Sequence, residues 1–282
     1  MDSSSQTSTV LRLFPEPVGS VELHGLYLDE PLRPAGTPAQ PFVYANFIAS
    51  IDGRISLPDP KTNRLKPPGA ITNPRDWRLF QELTASADVL VTSGRYIRDL
   101  AAGDAQDSLP VSGKPEFADL LAWREQRGLT PQPAVAIVTS SLDLPIPKEL
   151  LQSGRPVYVA TGSAADPSHV KKLSAQGVRV LTAGAGTHVK GRALIDALSN
   201  EGFGNINMIG GAVLLNMLLA DKALDRLYLT TACRILGGTS FDTLFKGDQL
   251  HPAADFTLRS LCYDMKHGDS IEQLFAAFDC VK

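Results

Sequence analysis

The segment NMIGGAVLLNMLLADKALDRLYLTTACRILGG, residues 207–238, contains the strongest fold signal in this sequence. A short apolar run ends at Gly210 and Gly211, a helical pattern follows, and a long β-like run comes after the helix. This order predicts a strand, a helix and a second strand, as in sheets built from parallel strands. The glycine pair has two interpretations: close packing of the strand against the helix, or approach of a phosphate to the helix N-terminus.

The same alternation of strand and helix continues through the chain. Apolar runs predict strands at 42–50, 88–94, 134–141, 156–162 and 178–184. Helical patterns lie between them at 72–87, with Thr72 or Asn73 as the cap, and at 114–128, 167–177 and 191–202. Two further β-like segments, 255–268 and 270–281, follow without an intervening helix and predict antiparallel strands. The predicted fold class is therefore α/β, with a mixed, mostly parallel sheet covered by helices on both faces.

Two segments fall outside this alternation. Residues 1–40 are rich in Ser, Pro and Gly and predict a partly ordered N-terminal arm, with a short strand at 21–28. Residues 52–71 are rich in proline and predict a loop. Residues 41–282 are expected to form one domain, because no segment among them has the composition of a linker between domains.

Composition restricts the classes of function. The 282 residues are 43% hydrophobic, which is typical of a globular protein with a sizeable core. The formal net charge of -3 argues against a nucleic-acid-binding protein, because such binding depends on clustered Lys and Arg. The three cysteines and five histidines are dispersed without metal-ligand spacing, so we expect no metal site. There is no signal-peptide pattern and no apolar run long enough to span a membrane, and we expect a cytoplasmic protein.

Five predicted strands end in small or hydroxyl-bearing residues. In open α/β sheets, ligands bind beyond the carboxyl ends of the strands, so these ends predict one long groove for a dinucleotide. The glycine-rich stretch 186–193 is not a nucleotide-triphosphate loop, since Arg192 and Ala193 stand where Lys and Ser or Thr are required. The five ends are Ala49–Ser50, Thr92–Gly94, Thr139–Ser140, Thr161–Gly162 and Gly210–Gly211.

Three stretches together resemble a known family. NFIASIDGRIS (46–56), ITNPRDWRLFQELTASADVLVTSGR (71–95) and MIGGAVLLNMLLADKALDRLYLTTACRILGG (208–238) are similar to the reductase domain of riboflavin biosynthesis. In bacteria this domain is the C-terminal half of a bifunctional deaminase-reductase, and it also occurs as a stand-alone protein, the form expected here. The resemblance implies a dihydrofolate-reductase-like α/β/α fold and a homodimer. It also implies NADPH-dependent reduction of the ribosylamino chain of a pyrimidine 5′-phosphate to a ribitylamino chain.

The resemblance also implies which residues contact the ligands. Arg95 matches the Gly-Arg turn that meets the adenosine phosphate in dihydrofolate reductases. Cofactor contacts are expected at Ala49, Thr72, Ser93, Gly94, Arg95, Ser140, Gly210, Gly211, Ala212, Val213 and Leu214. Substrate contacts are expected at Asn46, Ser50, Ile209 and Arg75.

Two positions depart from the family pattern on the substrate side. Ile209 stands where the family usually has Glu, and Thr84 stands where it has a phosphate-binding Arg. Loss of that Arg is expected to cost on the order of 1.5–3 kcal/mol unless another cation replaces it. The candidates for the replacement are Arg64, Lys66, Arg75 and Arg78.

Asp52 and Asp76 are the candidates for supplying a proton. Each also has a structural interpretation, Asp52 as a turn residue before Gly53 and Asp76 as a carboxylate in the first turn of a helix. Three functions stay open at this point: a riboflavin-pathway reductase, a reductase of a pterin- or dihydrofolate-like heterocycle, and a non-catalytic NADP-binding protein.

Overall fold

The computed structural model describes residues 8–29, 31–266 and 270–282. In these residues the helices are α1 (Pro74–Ser86), α2 (Gly94–Ala101), α3 (Ala118–Gln126), α4 (Lys148–Gln152), α5 (Pro167–Ser174), α6 (Gly191–Asn200) and α7 (Ala212–Ala220). The strands are β1 (Thr9–Phe14), β2 (Gly19–Glu22), β3 (Phe42–Ser50), β4 (Arg54–Pro58), β5 (Leu65–Lys66), β6 (Val89–Ser93), β7 (Ala134–Val138), β8 (Val157–Thr161), β9 (Arg179–Thr182), β10 (Asn205–Met208), β11 (Arg226–Ala232), β12 (Asp242–Thr243), β13 (Phe256–Asp264) and β14 (Gln273–Cys280).

Eleven strands form one mixed sheet in the order β2-β1-β13-β14-β11-β3-β10-β6-β7-β8-β9. The block from β11 to β9 is parallel throughout. β14, β13, β1 and β2 continue the sheet with antiparallel pairing. The parallel block aligns the carboxyl ends of seven strands along a single edge, where ligand sites of α/β proteins lie.

Helices cover both faces of this sheet, which confirms the predicted α/β/α layers. On one face, α6 and α7 bury Leu194, Leu198, Leu214, Leu215 and Leu218 against the strands. On the other face, Leu79 and Leu83 of α1 pack with Tyr44 and Leu90, and Ile97 of α2 packs with Val135 and Ile137. In the described residues, no helix has the length and apolarity needed to cross a membrane.

Residues 9–22 extend the sheet rather than forming a separate arm. β1 pairs with the outer edge of β13, and β2 pairs with β1. Only Val21 and Glu22 of the strand predicted at 21–28 are extended, and turns follow them. An edge strand exposes unpaired N–H and C=O groups, so β13 gains hydrogen-bond partners from this hairpin.

The chain after β2 is held to α1 by a buried carboxylate. Glu82 is fully buried and accepts hydrogen bonds from the backbone N–H of Gly25 at 2.7 Å and of Tyr27 at 3.0 Å. Arg78 donates to the same side chain at 2.9 Å and also pairs with Asp119. Both oxygens of Glu82 are therefore engaged, and the N-terminal segment is an integral part of the layer that carries α1.

Two expectations about local structure were wrong. The proline-rich segment 52–71 contains β4 and β5, which form a small separate sheet with β12. The pairing of β4 with β12 joins residues far apart in the chain, which a local composition signal does not contain. Helices α2 and α4 were not predicted. The last residues of the strand predicted at 255–268 lie outside the described residues.

We predict that Glu82→Ala lowers the free energy of unfolding by about 3–5 kcal/mol, because it leaves Arg78 without a buried partner and two backbone N–H groups without an acceptor. Urea unfolding measures this loss. Glu125→Ala, on the exposed side of α3, is the matched control and should stay within about 0.5 kcal/mol of the wild type. Equal stability of the two variants would contradict the role given to Glu82.

Candidate functional site

The carboxyl edge of the parallel block carries a strip of half-buried side chains between α1 and α2, and we call this strip the groove. β3 is an interior strand of a sheet covered on both faces, yet Asn46 and Ile48 keep half-buried side chains on the α1 face. Ile209, just beyond β10, is also half-buried and packs against the clusters of both helices. The pairing of Met208 with Ala45 brings Ile209 alongside Asn46. These three side chains form the floor of the groove.

Asp76 lies in the first turn of α1, over this floor. Asn73 caps the helix by accepting hydrogen bonds from the N–H groups of Arg75 at 2.8 Å and Asp76 at 2.9 Å. The Asp76 residue is only 9% exposed, and the hydroxyl of Thr230 on β11 donates to its carboxylate. Thr230 is the register partner of Ile48, so the carboxylate stands at the β3–β11 side of the groove.

Burial gives Asp76 a pKa well above that of an exposed aspartate. Removal from water raises its pKa to about 6; the hydrogen bond from Thr230 opposes this rise, and the nearby Asp264 adds to it. No ion pair to a Lys, Arg or His is formed by Asp76 in the part of the chain that the structure describes. Buried carboxylates are normally paired with cations, and a perturbed one in a cleft is a functional-site candidate.

Two polar groups beside the floor residues, on the same face of the sheet, were missed by the sequence interpretation. Asn207 on β10 is fully buried, and neither its Oδ1 nor its Nδ2 has a hydrogen-bond partner among the described residues. The hydroxyl of Thr92 on β6 is likewise buried without a partner there. Asn207 is an amide between the apolar residues Ile206 and Met208, and that contrast was the available sequence signal. Thr230 was missed because its role follows from strand register.

The glycine pair opens α7 toward the same edge. Gly211 is the N-cap of α7, and no side chain among the described residues caps the helix. A Cβ at Gly211 would meet no atom within 4 Å, whereas one at Gly210 would overlap the Leu214 side chain. Ala212 and Leu214 are buried and Val213 is 59% exposed. Gly210 therefore serves strand-to-helix packing, while Gly211 leaves the first-turn N–H groups accessible to an anion.

The turn from β6 into α2 is a second candidate contact for a phosphate. Ser93 caps α2 by accepting from the N–H of Tyr96 at 3.2 Å. Gly94 packs so closely on Thr139 that a Cβ would lie 2.8 Å from its hydroxyl oxygen. The Arg95 side chain is 56% exposed and its nearest acid is Asp99, at 3.9 Å. Arg95 is therefore free to contact an anion.

Asp52 has a structural role in the loop that borders the groove. The hydroxyl of Ser50 donates to its carboxylate, and Gly237 N–H and Leu236 N–H donate at 2.8 and 3.2 Å. Arg54 pairs with it at 2.5 Å. These interactions, the Ser50 hydrogen bond foremost, hold the pKa of Asp52 at about 2. Asp52 therefore joins two loops and is ionised at neutral pH.

The four cations considered as replacements for the missing arginine all have carboxylate partners. Thr84 itself is fully buried and donates to the Phe80 carbonyl within α1, at 3.0 Å. Arg75 is held by Asp264 at 2.8 Å and by the Thr9 carbonyl at 2.7 Å. The ion pairs of the others are Arg64 with Asp99 and Asp104, Lys66 with Asp59, and Arg78 with Glu82 and Asp119.

The other residues expected at the site are distributed around it. Ala49 is buried on the α7 face of β3, and Ser50, the last residue of β3, is also buried. Thr72 and Ser140 are exposed, on the loop before α1 and after β7 respectively. The end of β8 is covered, because the loop at Gly186 packs on Gly162 too closely for a Cβ.

We predict that Asp76→Asn stabilises the protein at about pH 8 and not at about pH 4. The pKa in the folded state, about 6, lies above the ordinary 3.8, so folding favours the protonated acid. Its contribution is complete below 3.8 and is lost as the pH rises through 6, a loss on the order of 3 kcal/mol. Urea unfolding at the two pH values measures it. Asp143→Asn, on an exposed loop, is the control; a pH-independent difference for Asp76→Asn would refute the assignment.

Comparison with known proteins shows to which family this chain belongs. A curated protein of Archaeoglobus fulgidus, 2,5-diamino-6-ribosylamino-4(3H)-pyrimidinone 5′-phosphate reductase, is 23% identical over 209 residues, 74% of this chain and 88% of that protein. The crystal structure of a pyrimidine reductase-like protein from Corynebacterium diphtheriae has a TM-score of 0.60 at 22% identity and covers 86% of this chain and 92% of that chain. RibD of Acinetobacter baumannii has a TM-score of 0.60 at 19% identity.

The match to RibD of Acinetobacter baumannii covers 86% of this chain and 58% of that one, so this chain spans little more than half its length. At these identities the two structures demonstrate a shared fold, and the predicted fold class is confirmed. The family model described as the RibD C-terminal domain matches residues 41–265. The predicted relationship is therefore confirmed: this chain belongs to the RibD C-terminal domain family, the reductases of riboflavin biosynthesis.

Proposed function

We propose that this chain is an NADPH-dependent reductase that converts the ribosylamino side chain of a pyrimidine 5′-phosphate to a ribitylamino chain. The observation that carries the proposal is the groove itself. It combines an uncapped helix N-terminus at Gly211 with a buried acid, Asp76, on one edge of the sheet. Family membership and the name of the archaeal relative support the reaction type.

The residues along the edge fit a dinucleotide phosphate. The N–H groups of Gly211, Ala212 and Val213 would hold the pyrophosphate, since no side chain caps α7 and no Cβ blocks Gly211. Arg95 would hold the 2′-phosphate with its planar guanidinium, and Ser140 and Thr72 would contact the rest of the dinucleotide. NADPH, when bound, supplies the hydride for the reduction.

The protein itself would align the substrate with the cofactor, exclude water and supply a proton to the substrate. Reduction of the ring-opened imine of the side chain requires a hydride at carbon and a proton at nitrogen. We assign that proton to the Asp76 carboxyl group, whose pKa of about 6 allows it to be protonated in a useful fraction near neutral pH. Asp52, with a pKa of about 2 and a full set of donors, positions the bordering loop instead. Ile48 and Ile209 provide an apolar floor.

The substrate contacts also follow from this groove. Asn46, which lies beside Ile209 on the floor, would hydrogen bond to the heterocycle with its amide. Asp76 would supply the carboxylate that other members carry at the position of Ile209. Arg234, exposed beyond β11, donates to the Ala70 carbonyl at 2.8 Å and forms no ion pair with a described residue. We propose it for the substrate phosphate in place of Arg75, whose guanidinium is engaged by Asp264.

A reductase of a pterin- or dihydrofolate-like heterocycle is the second candidate. The apolar Ile209 favours it, because the glutamate that other members present to their pyrimidine is replaced by a flat apolar contact. Both candidates use the same cofactor groove and the same buried acid. They differ in whether a ribose phosphate must also be bound.

A homodimer in the cytoplasm stays a prediction. The outer edge of β13, which could have paired with a second copy, is occupied by β1. The terminal strands of the sheet are β2 and β9. Pairing of two copies through the sheet would therefore have to use one of those strands.

Turnover tests the proposed function directly. NADPH oxidation should be observed with a ribosylaminopyrimidine 5′-phosphate, and the product should contain the ribitylamino chain by mass spectrometry. NADH should be used less well than NADPH, because Arg95 would lose its anionic partner. Turnover of dihydrofolate alone would favour the second candidate. Tight NADPH binding without turnover of either heterocycle would contradict both and indicate a non-catalytic binding protein.

A substitution at Gly211 should weaken NADPH binding without lowering the free energy of unfolding. Gly211→Asp places an acidic N-cap on α7, with φ −78° accessible to aspartate, so the free energy of unfolding should stay equal or rise by a few tenths of a kcal/mol. The same carboxylate repels a phosphate, so the Kd for NADPH should rise about tenfold or more.

Fluorescence titration with NADPH and urea unfolding measure the two effects. Gly113→Asp, in a loop where a Cβ would also meet no atom within 4 Å, adds the same charge away from the groove and is the control. An unchanged Kd in Gly211→Asp would mean that the glycine pair serves packing only.

A further inference from the structure

The hairpin of β4 and β5, residues 54–66, crosses the carboxyl edge of the sheet, and we call it the strap. It begins beside the end of β3, and Arg64 near its tip contacts Asp99 on α2, the helix that follows β6. β10 lies between β3 and β6 in the sheet. The strap therefore passes the carboxyl end of β10, where the glycine pair opens α7, and reaches the turn from β6 into α2.

The turn at the tip of the strap is held by its own hydrogen bonds. The Asp59 N–H donates to the Arg64 carbonyl at 2.8 Å, and the Asn63 N–H donates to the Asp59 carbonyl at 2.8 Å. The Asp59 carboxylate accepts from the N–H groups of Lys61 and Thr62, each at 3.0 Å. These bonds do not involve α2, so the backbone that carries Arg64 does not depend on the ion pair that Arg64 makes there.

Asp99 joins two arginines at the start of α2. Arg64 donates to its Oδ1, and the Nε of Arg95 lies 3.9 Å from its Oδ2. Asp104, just beyond α2, is the second acid near Arg64, at 3.1 Å. Arg64 and Arg95 are both exposed. Two guanidinium groups from different elements therefore meet on opposite oxygens of one carboxylate, at a surface that a ligand can reach.

Positive charge is in excess at this turn. Arg98 also lies there, with its Nη1 3.5 Å from the place that a Cβ on Gly94 would occupy. Arg98 is exposed and forms no ion pair with a residue that the structure describes. Three guanidinium groups thus share two carboxylates, an arrangement that favours an additional anion.

We propose that Arg64 is a second contact for the 2′-phosphate of NADPH, opposite Arg95, and that Asp99 occupies the two arginines in the free protein. This inference rests on the proposed function and concerns its choice of cofactor. A phosphate dianion carries more charge than a carboxylate and has enough oxygens to accept from both guanidinium groups. The strap would then cover the adenosine half of the dinucleotide, and Arg64 would be a specificity-determining residue for NADPH over NADH.

Asp99 opposes this contact in two ways. It competes with the phosphate for Arg64 and Arg95, and its own charge repels the phosphate. Removing the charge of Asp99 should therefore strengthen the binding of a ligand that carries the 2′-phosphate. A merely structural ion pair between the strap and α2 makes no such prediction, because exposed ion pairs contribute little to stability and are indifferent to the ligand.

The test measures Kd values of the full chain for NADP⁺ and NAD⁺ by calorimetry. Arg64→Ala should raise the Kd for NADP⁺ about tenfold and leave that for NAD⁺ within about twofold. Arg64→Lys should retain part of the preference, because it keeps the charge and loses the planar fork. Lys61→Ala, exposed on the same turn, removes an equal charge and is the control; neither Kd should change more than about twofold.

The second arm removes the competing acid. Asp99→Asn should lower the Kd for NADP⁺ about threefold or more without changing that for NAD⁺. Asp196→Asn, exposed on α6 at the opposite face of the sheet, is the control and should change neither. Adenosine 2′,5′-bisphosphate and adenosine 5′-monophosphate should repeat both results, because they differ only in the 2′-phosphate.

Three results would overturn the assignment of Arg64 while the reductase activity stood. These are an unchanged Kd for NADP⁺ in Arg64→Ala, an equal loss of affinity for NADP⁺ and NAD⁺ in that variant, and weaker NADP⁺ binding by Asp99→Asn. Failure of the proposed function would look different. No heterocycle would be reduced, while the bisphosphate still bound more tightly than the monophosphate and lost that preference in Arg64→Ala.

Discussion

The parallel alignment of β11, β3, β10 and β6 is the constraint on which the rest of the site depends. Because these strands run in one direction, their carboxyl ends meet on one edge, and their register decides which side chains share a row. Thr230 stands beside Ile48, and Ile209 stands beside Asn46. A one-residue slip of β10 would turn Ile209 to the opposite face and remove it from the floor. The groove is therefore a consequence of strand pairing, to which α1 adds the acid.

Burial of Asp76 without a cationic partner lowers the free energy of unfolding, but it gives the site an acid with a raised pKa. The neighbouring carboxylates are neutralised, Glu82 by Arg78 and Asp264 by Arg75, and they serve to attach the N-terminal segment and β13 to α1. Asp76 sits on the same helix and is stabilised by a hydroxyl alone. A residue that lowers stability in this way is expected where function requires a perturbed acid. The N-terminal segment helps to hold α1 in place and so supports that acid from a distance.

Sequence patterns predicted the large features and failed where distant residues meet. The long strands β3 and β11 and the helices α1 and α7 have local signals, namely apolar runs, the Asn73 cap and the glycine pair. β4 was missed because it pairs with β12, far along the chain, and β5 was missed because it is only two residues long. The sequence provided two candidates for the proton donor, Asp52 and Asp76, and only the structure distinguishes them. Hydrogen bonds lower the pKa of Asp52, whereas burial beside Asp264 raises the pKa of Asp76. Thr230 had no sequence signal of its own.

The most direct test of this account is the ionisation of Asp76 itself, followed by carbon-13 NMR of the labelled carboxyl group and assigned with Asp76→Asn. A pKa near 6 is expected in the free protein. A pKa near the ordinary 3.8 would contradict the conclusion that burial without a cationic partner keeps this carboxyl group partly protonated near neutral pH.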